Sequence, residues 1–269
     1  MAQAVFQNKV VVVTGASEGI GRSLALQLAP QKPKLVLAAR TRERLESLAE
    51  ECRRLGAEAL PVPTDVTDPE ACKALIEQAV AAFGGVDVLV NNAGTTMWTR
   101  FDEIRDLSII ERLMRLNFMG SVYPTWHALP HLKRAKGRIV VVASVTGLTG
   151  VPTRSAYSAT KHAQVGFFDS LRVELRTDGV TVTIVCPDYV VSDIHRRALG
   201  PDGLPMGRTT PVARNAMTAD ECAALMIPAM EQRERLLITS RRGRLGRWAK
   251  LVLPSLVDGV AAWAIRQRH

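Results

Sequence analysis

Short apolar runs alternate with longer segments of helical periodicity along most of the chain. Continuous apolar runs, such as Val10-Val11-Val12-Val13, are typical of strands buried on both faces of a parallel sheet. The pattern predicts strands at Val10–Thr14, Leu35–Ala39, Ala59–Pro63, Val86–Val90, Arg138–Ala143, Thr181–Cys186 and Arg235–Thr239. It predicts helices near 19–29, 42–55, 68–83, 103–134, 156–177 and 218–231. Because alternating strands and helices connect through right-handed crossovers, we expect an α/β fold. Its core would be a doubly wound parallel sheet of about seven strands with helices on both faces.

The same pattern divides the chain into a body and an extension. Residues 1–240 are expected to form a single domain, and 241–269 an appended C-terminal extension. Pro124 and Pro130 should kink or shorten the long helical stretch, since proline removes a helical hydrogen bond. Residues 188–217 are rich in Gly, Pro and Arg and lack periodicity, which indicates a mobile segment over a ligand site.

Composition narrows the class of protein. Apolar residues make up 47% of the chain, enough for a large core. The four cysteines are far apart and form no Cys-x-x-Cys pair, so we expect no disulfide framework and a reducing, cytoplasmic location. The first nine residues have no apolar segment like that of a signal peptide, and we expect no transmembrane helix.

The positive charge is concentrated at the C-terminal end. The net charge is +9, and residues 241–269 carry seven Lys/Arg against Asp258. Cations beside Trp248 and aliphatic residues suit a segment that lies in a membrane interface, giving peripheral membrane contact. The alternatives are an oligomer contact or a helix that covers the substrate pocket. Because the charge is not spread across a face, we expect no nucleic-acid partner.

A glycine-rich loop follows the first predicted strand directly. Glycine in such a loop allows a tight turn, close approach of the backbone to a pyrophosphate, and close contact between helix and strand. The N-terminus of the following helix offers free N–H groups to phosphates. The alternative is a simple turn. Candidate cofactor-binding residues here are Gly15, Ser17, Glu18, Gly19, Ile20 and Gly21.

The end of the second predicted strand bears on which nicotinamide cofactor fits. A carboxylate there would bind the ribose hydroxyls and repel a 2′-phosphate, but the chain has Ala39 and Arg40. The guanidinium of Arg40 suits a phosphate, which favours NADP(H). Glu18, close to the phosphates, works against this interpretation. Alternatively, Arg40 merely opens the next helix.

Tyr157 and Lys161 are four residues apart in a predicted helix and therefore share a face. An unperturbed phenol, with a pKa near ~10, is a poor acid or base at neutral pH. A nearby cation would lower that pKa. Two residues with this spacing often merely share a helix face and have no catalytic role. Ser144, at the carboxyl end of the fifth predicted strand, strengthens the catalytic interpretation because ligands bind at strand ends.

Together these motifs resemble the single-domain branch of the short-chain dehydrogenase/reductase family, with a Rossmann-type fold. The resemblance spans most of residues 9–240 and is closer to hydroxysteroid-dehydrogenase-like and carbonyl-reductase members. It is carried by the loop 14–21, Asp65-Val66, Asn91-Asn92-Ala93-Gly94, Asn117, Ser144, Tyr157, Lys161, and Pro187 with Ser192. It implies an NADP(H)-dependent oxidoreductase that acts on a small alcohol or carbonyl substrate. We expect a homodimer or homotetramer.

The resemblance also implies roles for individual residues. Tyr157 would exchange a proton with the substrate oxygen, Ser144 would hydrogen-bond that oxygen, and Lys161 would lower the pKa of Tyr157 and hold the nicotinamide ribose. Asn117 would hold a water in a proton relay to Lys161. The other matched positions would contact the cofactor: Asp65 and Val66 at the adenine, Asn92, Ala93 and Gly94 at the adenosine ribose, Pro187, Val190 and Ser192 at the nicotinamide. Asn91 would tie strands together.

Some features depart from this interpretation or compete with it. Family members commonly have Gly after the proline, whereas this chain has Asp188, which puts a charge near the nicotinamide. His127 and His131 have metal-ligand spacing, but no third ligand is evident, so we expect no metal site. The alternative functions are a non-catalytic cofactor- or nucleic-acid-binding protein on the same fold and a sugar-nucleotide epimerase.

Overall fold

A single parallel sheet organises the protein. The computed structural model describes residues 4–191, 194, 196–207 and 216–266. The strands of this sheet are β1 (Val10–Thr14), β2 (Lys34–Ala39), β3 (Glu58–Pro63), β4 (Val88–Asn91), β5 (Arg138–Val142), β6 (Thr181–Cys186) and β9 (Leu236–Ile238). Two further short strands, β7 (Val190–Val191) and β8 (Met217–Thr218), form a separate pair. The order across the sheet is β3-β2-β1-β4-β5-β6-β9, and all neighbours are parallel. The predicted doubly wound fold is confirmed, and each sheet strand begins and ends within two residues of its predicted bounds.

Helices cover both faces of the sheet. They are α1 (Gly19–Leu28), α2 (Arg42–Arg54), α3 (Pro69–Phe83), α4 (Ser108–Leu113), α5 (Gly120–Ala135), α6 (Ser155–Glu174), α7 (Ala219–Glu231), α8 (Arg241–Val252) and α9 (Pro254–Arg266). Short 3-10 turns lie at Ala29–Gln31, Phe101–Glu103 and Val145–Gly147. Asp68 is the N-cap of α3 and accepts a hydrogen bond from the Glu70 N–H, and Pro69 occupies the first position of the helix.

The apolar runs divide their side chains between the two faces. Val11 and Val13 of β1 pack on one side with α1, α2 and α7, whereas Val10 and Val12 pack on the other with α3, α5 and α6. This alternation follows from the two-residue period of a strand. It explains why the central strands contain almost no polar residues, since both faces are covered.

The prediction of one long helical stretch at 103–134 is wrong in its detail. The structure divides it into a 3-10 turn, α4, a π-helix at Met114–Met119, and α5. The division lies near 104–107 and not at the prolines, because Pro124 and Pro130 both lie inside α5. The π-helix widens one turn at Asn117, and such turns often accompany functional sites.

The two segments outside the regular alternation take up separate positions. Within 188–217, the described residues form the short β7–β8 pair, and Leu199 bridges to Met97 and Pro205. Residues 241–266 form α8 and α9, which pack against each other after the last sheet strand. Among the described residues, no helix combines the length and apolarity that crossing a membrane would need.

Candidate active site

A cleft of about 520 Å³ opens at the carboxyl ends of the central strands. It lies where the strand order reverses, with β2 on one side of β1 and β4 on the other. Two adjacent crossovers leave in opposite directions at such a point and create a crevice for a ligand. Most of the predicted site residues line it: Gly15, Ser17, Glu18, Gly19, Ile20, Arg40, Asp65, Val66, Asn92, Ala93, Gly94, Ser144, Tyr157, Lys161, Pro187 and Val190. Ser192 lies outside the described residues.

The glycine-rich loop is packed against the loop after β4. Gly15 has φ +62°, and a Cβ on it would lie 2.8 Å from the Cα of Ala93. A Cβ on Gly21 would lie 2.5 Å from Asn92 Nδ2. Asn92 Nδ2 donates to the carbonyls of Thr14 and Gly15, at 3.0 and 3.1 Å. Both glycines are therefore required by close contact, and the loop is held rigidly beneath the cleft.

The side chains of two asparagines make contacts other than those expected of them. Asn92, expected at the adenosine ribose, uses its side chain to join the end of β4 to the end of β1. Asn91, expected to tie strands together, donates instead to Thr125 Oγ1 of α5 at 2.8 Å. The backbone of Ala93 and Gly94 still borders the cleft. The amide of Asn92 thus shapes the phosphate end from below.

The charge of Glu18 is neutralised by two arginines. Its carboxylate pairs with Arg44 of α2 at 3.0 Å and with Arg197 of the segment after β6. Glu18 is the N-cap of α1, yet its side chain makes no capping hydrogen bond, so the first N–H groups of α1 face the cleft uncapped. The phosphate end therefore combines free N–H donors with an ion-paired carboxylate, which fits a dinucleotide pyrophosphate.

The end of β2 presents a cation and no carboxylate. Arg40 is exposed and lines the cleft beside Ala39, Thr41 and Arg44. Among the described residues, no salt bridge involves Arg40. One oxygen of the Asp65 carboxylate, in the loop after β3, accepts from the N–H and hydroxyl of Thr67, at 2.9 and 2.8 Å. The end of β2 thus presents the Arg40 guanidinium to the cleft.

Ser144, Tyr157 and Lys161 meet at the floor of the cleft. Ser144 follows β5 and accepts from the Thr146 N–H at 3.2 Å. Tyr157 lies in the first turn of α6, beside Ser144 and Thr146, which both act to lower the pKa of its phenol. Lys161 lies one turn later, with Nζ 5.7 Å from the centroid of the Tyr157 ring. The three are 7%, 8% and 4% exposed. Tyr157 and Lys161, which were predicted to share a face of the helix, therefore lie with Ser144 in one buried corner of the cleft.

The groups that shift the pKa of Tyr157 differ from the one expected, which was Lys161. Burial raises the pKa of Tyr157, while the charge of Arg154 and the hydrogen bond with Ser144 lower it. Burial also lowers the pKa of Lys161 to about 7, since the desolvated ammonium is disfavoured. Lys161 is not among the groups that shift the Tyr157 pKa, and the cation that does so is Arg154.

Gln164 joins Lys161 to Asn117, the residue expected to hold a relay water. Lys161 Nζ donates to Gln164 Oε1 at 2.8 Å, and Gln164 Nε2 donates to the Asn117 carbonyl at 2.7 Å. The Gln164 amide therefore bridges the ammonium and that carbonyl directly. Asn117 itself is fully buried in the π-helix.

Comparison with known proteins identifies the family. Residues 9–200 match the short chain dehydrogenase family. The chain belongs to the short-chain dehydrogenase/reductase family. This is a family of NAD(P)-binding oxidoreductases.

Individual relatives agree with that assignment. An "11-beta-hydroxysteroid dehydrogenase" from Pinus massoniana is 44% identical over 191 residues, covering 71% of this chain and 53% of that protein. The chain thus spans about half the length of this curated relative. A solved short chain dehydrogenase/reductase from Burkholderia phymatum in complex with NAD is 27% identical, with TM-score 0.82 over 95% of this chain and 96% of that one. An alcohol dehydrogenase from Thermococcus sibiricus complexed with 5-hydroxy-NADP is 26% identical, with TM-score 0.74 over 86% and 95%.

Asp188, where short-chain dehydrogenases commonly have glycine, carries its charge in an ion pair with Arg242. Its carboxylate accepts from Ser240 Oγ at 2.7 Å and from two nitrogens of Arg242, at 2.7 and 3.2 Å. Its N–H donates to Thr239 Oγ1 at 3.2 Å. The residue therefore ties the wall of the cleft to the start of α8. The neighbouring Pro187 carbonyl accepts from the Val145 N–H at 3.0 Å.

Arg154 was missed from the sequence. Its guanidinium lies over the ring of Trp98, 4.4 Å from the centroid, and 5.9 Å from that of Tyr189. It lines the cleft three residues before Tyr157 in the chain. A cation at the start of the catalytic helix is ordinary in a sequence, so no pattern distinguished it.

The predicted histidine pair lies away from this site. His127 and His131 are on α5, where they border a smaller cleft with Lys73, Glu77 and Val80. Among the described residues, no group of three or more His, Cys, Asp or Glu side chains comes close enough to hold a metal ion.

Proposed function

We propose that this short-chain dehydrogenase/reductase is an NADP(H)-dependent enzyme that interconverts a ketone and an alcohol. The observation that carries the proposal is the buried pair Ser144–Tyr157, in which the serine acts on the pKa of the phenol. It lies with Lys161 at one end of a cleft whose other end fits a dinucleotide. The exposed Arg40 and the neighbouring Ala39 support NADP(H) as the preferred cofactor.

The chain's own residues handle the proton and the developing charge. The nicotinamide, when bound, supplies or accepts the hydride. Tyr157 donates its phenolic proton to the substrate carbonyl oxygen in reduction and takes it back from the alcohol in oxidation. Ser144 hydrogen-bonds the same oxygen as negative charge develops. Because burial raises the pKa of Tyr157, the phenol is protonated at neutral pH, which is the form that reduction requires.

The walls beyond the catalytic corner support a largely apolar substrate. Leu116, Tyr189, Leu199 and Pro205 line that part of the cleft. Apolar walls with a few convergent polar groups are usual for sites that bind small apolar molecules. Since a relative is named as a hydroxysteroid dehydrogenase, steroid-like ketones and alcohols are the first class to test.

Helices α8 and α9, which pack against each other, are called the hairpin below. We further propose that this hairpin contacts an anionic membrane surface from the cytoplasm. Trp248, Leu251 and Val252 on α8 are 65%, 70% and 73% exposed, and basic residues flank them. Exposed apolar side chains together with cations complement a bilayer that carries anionic lipids. Self-association as a homodimer or homotetramer would instead cover exposed apolar groups elsewhere, such as Trp126 on α5 and Val173 on α6.

The experiment is a cofactor-oxidation assay on the purified full chain. A panel of steroid ketones, aliphatic ketones and aldehydes is offered with NADPH and separately with NADH, and the matching alcohols with NADP⁺ and NAD⁺. We expect turnover of at least one ketone, faster with NADPH, and none with Tyr157→Phe. Cofactor binding without turnover in either direction would contradict the proposal and favour a non-catalytic cofactor-binding protein.

A further inference from the structure

Gln164 occupies a position that the reaction does not obviously require. It lies on α6, three residues after Lys161 and therefore on the same helix face. It is 1% exposed. Both ends of its amide are used: Oε1 accepts from Lys161 Nζ at 2.8 Å, and Nε2 donates to the Asn117 carbonyl at 2.7 Å. A buried amide with both ends satisfied holds its partners in one geometry.

The far end of this bridge is itself fixed. Asn117 Oδ1 accepts from the Thr95 N–H at 2.9 Å, and Asn117 Nδ2 donates to the Thr95 carbonyl and to Thr160 Oγ1, both at 3.0 Å. Asn117 lies in the π-helix, where the hydrogen-bond register of the helix shifts. Its carbonyl is thus a stationary acceptor for Gln164.

The near end restrains the ammonium of Lys161. Two of its three N–H groups are used, one by Gln164 Oε1 and one by the Val142 carbonyl at 2.9 Å. The third is left for Tyr157 and the cofactor side of the cleft. The titratable groups facing Lys161 are Tyr157 on its own helix and Cys186 of β6, whose thiol pKa is raised to about 12 by burial. No carboxylate is among the groups that act on Lys161 within the described part of the chain.

We propose that Gln164 is a positioning residue: its amide joins Lys161 to the Asn117 carbonyl and orients the ammonium toward Tyr157 and the nicotinamide ribose. The use of that ammonium in turnover rests on the function proposed above.

The direct test is the titration of Lys161 itself, followed by NMR of ¹³Cε-labelled lysine in the cofactor-free full chain. The sequence has eight lysines, and the Lys161 resonance is the one lost in Lys161→Arg. Burial places the wild-type pKa of Lys161 at about 7. Gln164→Glu would put a carboxylate against the ammonium and raise the midpoint by about one pH unit or more. Gln164→Leu would remove the acceptor and lower it. Ser170→Glu, which adds a carboxylate on the exposed face of α6, is the matched control and should leave the midpoint unchanged.

The second measurement concerns turnover. Gln164→Leu is expected to lower kcat about tenfold while the KM for the carbonyl substrate changes little. Gln164→Glu should move the alkaline limb of the kcat profile in step with the NMR midpoint. If Gln164→Glu does not fold, Gln164→Leu alone tests the bridge through the downward shift. Identical Lys161 midpoints in the wild type and a folded Gln164 variant would overturn the proposal. If the midpoints shift but no carbonyl is turned over by the wild type, the bridge stands and the proposed function fails.

Discussion

The catalytic corner and the C-terminal hairpin represent two opposite ways of placing side chains. In the corner, Ser144, Tyr157 and Lys161 are almost fully buried, and the Ser144 and Lys161 side chains are held by hydrogen bonds. In the hairpin, no residue of α8 is buried, and large apolar side chains point outward. Both regions lie at the carboxyl edge of the sheet, because α8 follows β9 directly.

The difference shows what each region is suited to do. A buried corner restricts the geometry of the reacting groups and strengthens their electrostatic effects. An exposed apolar face leaves surface free for something outside the chain, since monomers rarely expose contiguous apolar patches without a use. Asp188 connects the wall of the cleft to the start of α8, through Ser240 and through its ion pair with Arg242.

The largest effect is expected from removing one oxygen in the buried corner. Tyr157→Phe should lower kcat/KM by on the order of 10²–10⁴-fold, because it removes the proton donor and acceptor. Tyr123→Phe, on α5 outside the cleft, is the matched control and should keep full activity. Steady-state kinetics with the best substrate of the panel decide the matter. Near-wild-type turnover by the folded Tyr157→Phe variant would eliminate the mechanism.

A smaller effect is expected at the cofactor end. Arg40→Ala should reduce the preference for NADPH over NADH by roughly ten- to a hundredfold, since one charge-assisted contact to a phosphate contributes about 1.5–3 kcal/mol. Arg42→Ala is the control, because Arg42 pairs with Glu46 within α2. Kd values for both cofactors, measured by fluorescence, give the ratio. Equal binding of the two cofactors by the wild-type protein would refute the assignment.

Burial explains which parts of this comparison the sequence could predict. Val11 and Val12 had to be apolar because both faces of β1 are covered, and Gly15 had to lack a side chain because Ala93 lies against it. Such constraints leave a recognisable pattern within one chain segment, and they predicted the strands and the glycine-rich loop. The positions of Ser144, Tyr157 and Lys161 came instead from helix spacing, the end of a predicted strand and the family resemblance.

Side-chain pairs that join distant segments leave no such mark. Gln164 is an ordinary polar residue in a helix until Asn117 is brought beside it. Asp188 and Arg242 are 54 residues apart and become partners through the turn after β9. The π-helix at Met114–Met119 depends on tertiary packing, so the pattern predicted an unbroken helix there.

The hairpin side of the comparison can be tested with lipids. The double variant Trp248→Ser, Leu251→Ser should reduce co-sedimentation with vesicles of phosphatidylcholine and phosphatidylserine about tenfold, because two apolar anchors are lost. Leu107→Ser, equally exposed but distant from the hairpin in sequence, is the control. Wild-type binding should weaken as salt rises, since the cations contribute. Membrane contact would be contradicted if the double variant sedimented like the wild type, or if the wild-type protein bound no vesicles. If the oligomer mass fell in the double variant, the hairpin would instead form a subunit contact.

The smallest effect concerns the connection between the two regions. Arg242 binds the Asp188 carboxylate through two nitrogens, but its side chain is mostly exposed, so the pair should contribute about 1 kcal/mol or less to the free energy of unfolding. We expect Arg242→Ala to lower Tm slightly, to increase proteolysis within α8, and to raise the cofactor KM about two- to threefold. The reason is that the wall of the cleft at Asp188 loses a restraint. Arg241→Ala removes an adjacent cation and is the matched control.

A double-mutant cycle between Arg242→Ala and Asp188→Asn separates this connection from a general loss of charge. If the two side chains act as a pair, the second substitution should add little once the first is present. The cofactor KM should then be similar in both single variants and the double variant. Because Ser240 still donates to residue 188 after Arg242→Ala, the start of α8 stays attached and activity persists. Strictly additive effects on unfolding and KM would mean that the hairpin and the catalytic corner are independent, and that Asp188 serves the cleft alone.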